Sequence, residues 1–250
     1  MITRRHMMFG CTCGCVAVAT ASLVSAATEA KAQSAPDRKT LPPEIVGVRL
    51  PDSALAQTVT ALVREASPEP LFNHVVRSYV FGTKIGEARK LKFDPELLFL
   101  AAMMHDLGLT EKYMADARFE VDGADAAAKI LRDHQYPEAK IDIAWQAIAL
   151  HSTMEIPDRM LPEIALVHLG VFMDGGVNAK QFPRGFFDEV FAALPRLNSR
   201  ANLIKDIGAV LRKKPHTAYL AFKKDIALRT IPNYNPPNFV DIQPPAPFDQ

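Results

Sequence analysis

Apolar positions recur along this chain with the three-to-four-residue spacing of helices that bury one face. The pattern predicts helices over 55–65, 71–90, 95–106, 123–134, 137–151, 162–177, 186–194, 199–213 and 218–229. Their ends carry the chemistry that helix ends need. Asp94-Pro95-Glu96 gives an N-cap followed by proline at the first helical position. Pro137-Glu138 and Asn198-Ser199 mark two more starts, and Gly108 follows the third segment where a helix would stop. No run alternates apolar and polar residues with β-branched enrichment between turn signals, and no internal repeat is present. The expected fold is therefore all-α, one helical bundle over 53–230. Two flanks fall outside it. Residues 33–52 carry Pro36, Pro42, Pro43 and Pro51 and read as an extended leader. Residues 231–250 carry six prolines from Pro232 to Pro247 and read as a tail without helix or sheet, whether wrap, lid or dimer arm.

One predicted helix breaks its own pattern. Leu97-Leu-Phe-Leu-Ala-Ala-Met-Met runs apolar on every side and then meets His105-Asp106. An ionised carboxylate beside an imidazole is costly to bury unless both are paired, and a divalent ion is the partner that accepts both together. Three further polar residues fit the same place: His74 after Phe72-Asn73, His151 closing an apolar stretch, and Asp174 ending the run 164–173. His74, His105, Asp106 and Asp174 are the expected metal ligands. Two neutral nitrogens and two carboxylates balance a +2 ion and leave positions open. Zinc is the first expectation, and iron and manganese suit the same donors. His151 is expected close to the ion as a proton relay or substrate contact, and Glu120 as a residue that orients a ligand. His134 and His216 read as surface residues, His168 as a hydrogen-bonded core histidine, and the methionines and Trp145 as core.

Composition narrows the class. Residues 1–32 read as an export signal: Arg4-Arg5, then an apolar and small-residue run, then Ala30-Lys31-Ala32 as a cleavage site. Thr3-Arg4-Arg5-His6 is similar to the twin-arginine signal, a route that would allow a metal to be loaded before export to the periplasm or beyond; the other reading is a Sec signal with a chance arginine pair. The cysteines Cys11, Cys13 and Cys15 all lie inside that segment. The remaining chain thus has no disulfide, no thiol nucleophile and no Cys-based metal site. Without residues 1–32 the chain has 26 basic and 27 acidic residues, so no nucleic-acid footprint, and no stable membrane span is expected after signal removal. Lys213-Lys214 and Lys223-Lys224 read as solvated doublets. A homo-oligomer is left open.

The order His74, His105-Asp106, Asp174 on successive helices resembles the HD-domain superfamily. Within it the chain is most similar to cyanamide hydratase-like proteins. It shares Asn73-His74, Phe119-Glu120 followed by Gly123, Asp174-Gly175-Gly176, and Leu194-Pro195-Arg196-Leu197, and departs at Asp122 and at His151-Ser152-Thr153. The resemblance implies a metal site in the core of a helical bundle and an enzyme that activates water toward a small nitrile- or amide-like substrate. Asp106, His151 and Glu120 would carry the chemistry, and Arg77 and Thr153 would touch the substrate. The wider superfamily implies an alternative, a phosphohydrolase acting on a nucleotide or phosphate ester, for which Arg77, Lys112 and Arg118 are the available clamps. A third reading is an exported module that binds a metal or ligand without turnover.

Overall fold

A computed structural model of the chain describes residues 40–219 and 221–236. The expected signal over 1–32, the first part of the leader, and residues 237–250 of the tail lie outside these. Within the described residues the protein is all-α apart from one small hairpin, as the periodicity predicts.

Helix α1 (Ala54–Ala66) is amphipathic, capped by Ser53, whose hydroxyl accepts from the Ala56 amide at 3.1 Å, and buries Ala56, Val59 and Val63. Helix α2 (Glu69–Ala88) is the central rod, buried on nearly all sides from Leu71 to Gly86. Helix α3 (Pro95–Met104) starts on the Asp94 cap, which accepts from the amides of Glu96 and Leu97. Every residue from Leu97 to Met104 is buried, as a helix apolar all round must be. Helices α4 (Phe119–Asp133), α5 (Glu138–Leu150) and α6 (Pro162–Asp174) complete the core layer. Helices α7 (Arg184–Ala193), α8 (Ser199–Lys213) and α9 (Lys223–Thr230) follow. Helix α6 lies along α2, α5 packs on α3, α4 and α6, and α8 joins the end of α2 and α9.

Two glycines let α2 and α6 approach closely. A Cβ at Gly82 would sit 2.6 Å from the Leu166 carbonyl oxygen, and one at Gly170 would fall onto the carbonyl of Ser78. Backbone-to-backbone contact fixes the register of the two helices, and therefore of His74 and Asp174 at their neighbouring ends.

Four details depart from the sequence pattern. Residues 44–49, expected as extended leader, form a hairpin of β1 (Glu44–Ile45) and β2 (Val48–Arg49) joined by Val46-Gly47, both with positive φ. Ile45, Val48 and Leu50 enter the core, so this part of the leader belongs to the domain. Helix α4 begins four residues before Gly123, with Glu120 and Asp122 in its first turn. Gly108 lies in a 3-10 turn (Leu107–Leu109), and a Cβ there would collide with the Phe119 carbonyl, so it serves close packing and not a left-handed helix stop. Lys214 and Lys223, read as solvated, are buried. Asp122 and Glu120 give each of them a carboxylate inside the fold.

Candidate metal centre

Helix α3 ends at Met104, and the chain turns at His105 and Asp106, both buried. Three imidazoles surround the Asp106 carboxylate. His105 Nε2 lies 3.2 Å and His74 Nε2 3.6 Å from Oδ2, and His151 Nε2 lies 3.7 Å from Oδ1.

The other ring nitrogen of each histidine settles its tautomer. His105 Nδ1 is 2.7 Å from the Ala102 carbonyl oxygen and His151 Nδ1 is 2.7 Å from that of Ile148. A carbonyl only accepts, so both nitrogens donate. His74 Nδ1 donates to Asp174 Oδ2 at 2.7 Å. In its neutral form a ring so held turns an Nε2 lone pair toward Asp106. The Nε2 atoms of His74 and His105 and Oδ2 of Asp106 are buried without a hydrogen-bond partner among the described residues. These three residues also place one ligand atom each within 4.8 Å of one another. Orphaned acceptors at one point are what a cation resolves, and an imidazole pair with a carboxylate suits zinc, iron or manganese. The residues fit a divalent ion.

The electrostatics agree. Burial opposes ionisation of Asp106, but His105, His74 and His151 outweigh it and hold the carboxyl well below its usual range. Burial likewise disfavours a charged His105, yet the facing Asp106 carboxylate prevails and raises its pKa. His151 is pushed down to about 4 by burial and by the charge on His105. The buried carboxylate thus demands a positive partner, and its nearest imidazole takes a proton when nothing else supplies one.

Asp174, expected as a ligand, stands outside the converging group. Arg77 Nε and Nη2 bind its two oxygens at 2.7 and 2.8 Å, His74 Nδ1 takes Oδ2, and Arg196 Nη1 reaches Oδ1 at 3.0 Å. The physical reason is Arg77, 0% exposed in the core, which needs a carboxylate beside it. In this arrangement Asp174 orients His74 from behind. Arg77, expected to touch substrate or clamp phosphate, also donates to the carbonyls of Leu194 and Pro195 and lines no part of the cavity. The segment 194–197 therefore wraps the polar joint between α2 and α6.

A cavity of about 400 Å³ opens onto the site, with His74, Asp106, His151 and Ser152 at its polar end. Thr153 lines none of it, while Ser152 and Met154 on either side do. Asp122 is absent from the lining too: it accepts from the amides of Ala115 and Ala117 and from Lys214. Lys112 and Arg118 also stay out. Lys112 pairs with Glu65 on the surface, and Arg118 lies beside Glu120.

Glu120 is fully buried and does not reach the cavity. Lys223 Nζ from α9 binds both its oxygens at 2.6 and 2.8 Å, and the Ser152 hydroxyl donates to it at 2.7 Å. Burial works against its charge, but Lys223 and then His151 lower its pKa. It is a positioning residue, joining α4, the turn after α5, and α9. Lys223 and Ser152 went unnoticed in the sequence, Lys223 because a lysine in a Lys-Lys pair has no sign of burial. His168 is the core histidine expected, its Nδ1 donating to the His151 carbonyl at 2.8 Å.

The fold and site together define an all-α bundle whose core gathers two histidines and an aspartate about a cation-shaped demand. Residues 71–174, the segment that holds His74, His105-Asp106 and Asp174, match the family model of the HD domain. Proteins of that superfamily are generally metal-dependent hydrolases, phosphohydrolases among them. No curated protein matches the chain.

Proposed function

We propose that the protein is a metal-dependent hydrolase or hydratase that adds water to a small uncharged substrate of the nitrile or amide kind. The observation that carries this reading is the pairing of an orphaned His74, His105, Asp106 group with a cavity whose lining, among the described residues, contains no lysine or arginine. His74, His105 and Asp106 would hold the ion, with zinc the first choice, and Asp174 would hold His74 in its Nδ1–H tautomer. When bound, a divalent ion acidifies a water toward neutrality and polarises the substrate.

The chain's own residues do the rest. His151, kept neutral by burial, offers its Nε2 lone pair to a proton at the cavity wall. Its Nδ1–H, held by Ile148, stops the ring from turning away. Ser152, with its hydroxyl proton committed to Glu120, presents an oxygen able to accept an N–H from the substrate. A phosphorus substrate would need cations on its non-reacting oxygens. Arg77 and Arg196 are already bonded to Asp174, and Arg118 lies beside Glu120.

The reading includes export of the mature chain, which cell fractionation with Arg4 and Arg5 changed to lysine would test. For the reaction itself, the purified full chain is given cyanamide, small nitriles and small amides, and in parallel nucleotides and phosphate esters. Release of urea, amide or ammonia is expected. Release of phosphate with no turnover of the first group would overturn the substrate class.

A further inference from the structure

We propose that the substrate is not a bare small nitrile or amide but one that carries an apolar body, an alkyl chain of about six to eight carbons or an aryl group, in the cavity described above. This rests on the functional reading just given and deepens it. The polar groups sit at one end only. Beyond them the wall is Phe119, Val171 and Phe172 from the HD segment, then Val177, Leu203, Ile207 and Phe222 from residues after it.

Volume sets the first constraint. A cavity of about 400 Å³ has room for roughly a dozen waters at about 30 Å³ each, so a substrate as small as cyanamide would leave most of it filled with water against hydrocarbon. Charge sets the second. Among the described residues no cationic side chain lines the wall, so an anionic tail would be desolvated without a partner. The rim sets the third: Met154 is 60% exposed and Phe222 44%, an apolar entrance that a folded chain leaves open to solvent only at a cost. The wall is also firmly held. Phe222 precedes Lys223, whose buried bond to Glu120 pins α9 beside Ser152 at the polar end. This part of the wall comes from outside the segment that matches the family model, so specificity for the body belongs to this chain's own C-terminal region, α8 and Phe222 above all.

The test measures binding, not turnover. Aceto-, hexano-, octano- and benzohydroxamate, which bring a metal-binding head on tails of different size, are titrated by calorimetry into the Zn²⁺-loaded full chain. Plain n-alkyl amides of the same lengths are titrated into the metal-free chain. Affinity should rise about fourfold per added methylene in both series, as burial of each CH₂ implies, and the increment should shrink in Phe222→Asp. An affinity that stays flat from the acetyl to the octanoyl compound, or n-octyl phosphate binding more tightly than octanohydroxamate, would overturn the proposal. An intact chain-length increment with no turnover of any nitrile or amide would remove the reaction proposed above and support the apolar-body site.

Discussion

Asp174 accepts from His74, Arg77 and Arg196 at once, so its chemistry is read through what it fixes in His74. Replacing it by asparagine keeps the shape but puts an N–H donor among donors. The NH₂ must face either the donors of Arg77 and Arg196, which breaks the clamp that holds the residue behind His74, or His74 itself, which requires that ring to move its proton to Nε2 and lose the lone pair aimed at Asp106. Asp174→Asn should therefore weaken metal binding about 10- to 100-fold while the chain stays folded, measured by competition with a chelator of known affinity. Unchanged affinity would show that the tautomer of His74 does not depend on Asp174. At this scale the sequence was informative about residue types and silent about pairing. His74, His105 and Asp106 stand out as polar residues on apolar helices, and they do converge. That Arg77 would take Asp174 was hidden: the spacing from His74 to Arg77 shows a shared face of α2, but not which residue lies across it. Ser152 and Lys223 carry no local signal, since each acquires its role from Glu120 on another helix.

Between elements, the bundle is tied together by polar bonds as well as by its core. Tyr79 on α2 donates its hydroxyl to the Arg49 carbonyl at 3.0 Å and so fastens the hairpin. Burial pushes the Tyr79 phenol up to about 12, against a smaller lowering by Thr83 and with a further rise from Glu87. The protonated phenol is favoured in the folded state. Its contribution is complete below the unfolded value near 10 and is lost as pH rises toward 12, a shift of about 2 units worth roughly 3 kcal/mol. Urea unfolding at about pH 9 and about pH 11.5 should thus show a larger loss of stability in the parent than in Tyr79→Phe. Equal losses would mean that the hydroxyl does not govern the alkaline limb. All nine predicted helices are present among the described residues, because a 3.6-residue period over eight or more residues is a strong signal. The hairpin was missed because strands of two residues have no period to read. The start of α4 was missed because its first turn, Phe119 to Asp122, buries carboxylates where the pattern expects apolar side chains.

For the described residues as a whole, the segment that matches the HD-domain model supplies the site, and residues after it supply part of the cavity wall. That division explains how far the sequence could be read. The ligand set is legible from polar residues in an apolar context, whereas the cavity wall is completed by Leu203 and Ile207 of α8 and by Phe222 just before α9, a long-range event with no local pattern. The two lysines that anchor this return, Lys214 on Asp122 and Lys223 on Glu120, looked like surface charge. Among the described residues no helix is long and apolar enough to cross a membrane. The central claim is that His74, His105 and Asp106 hold a divalent ion. Its most direct test is elemental analysis of the full chain purified without chelator or affinity-tag metal, beside His74→Ala and Asp106→Ala checked for helix content. The account predicts about one equivalent of metal in the parent and little in either folded variant. A folded parent without metal, or metal retained by both variants, would contradict it.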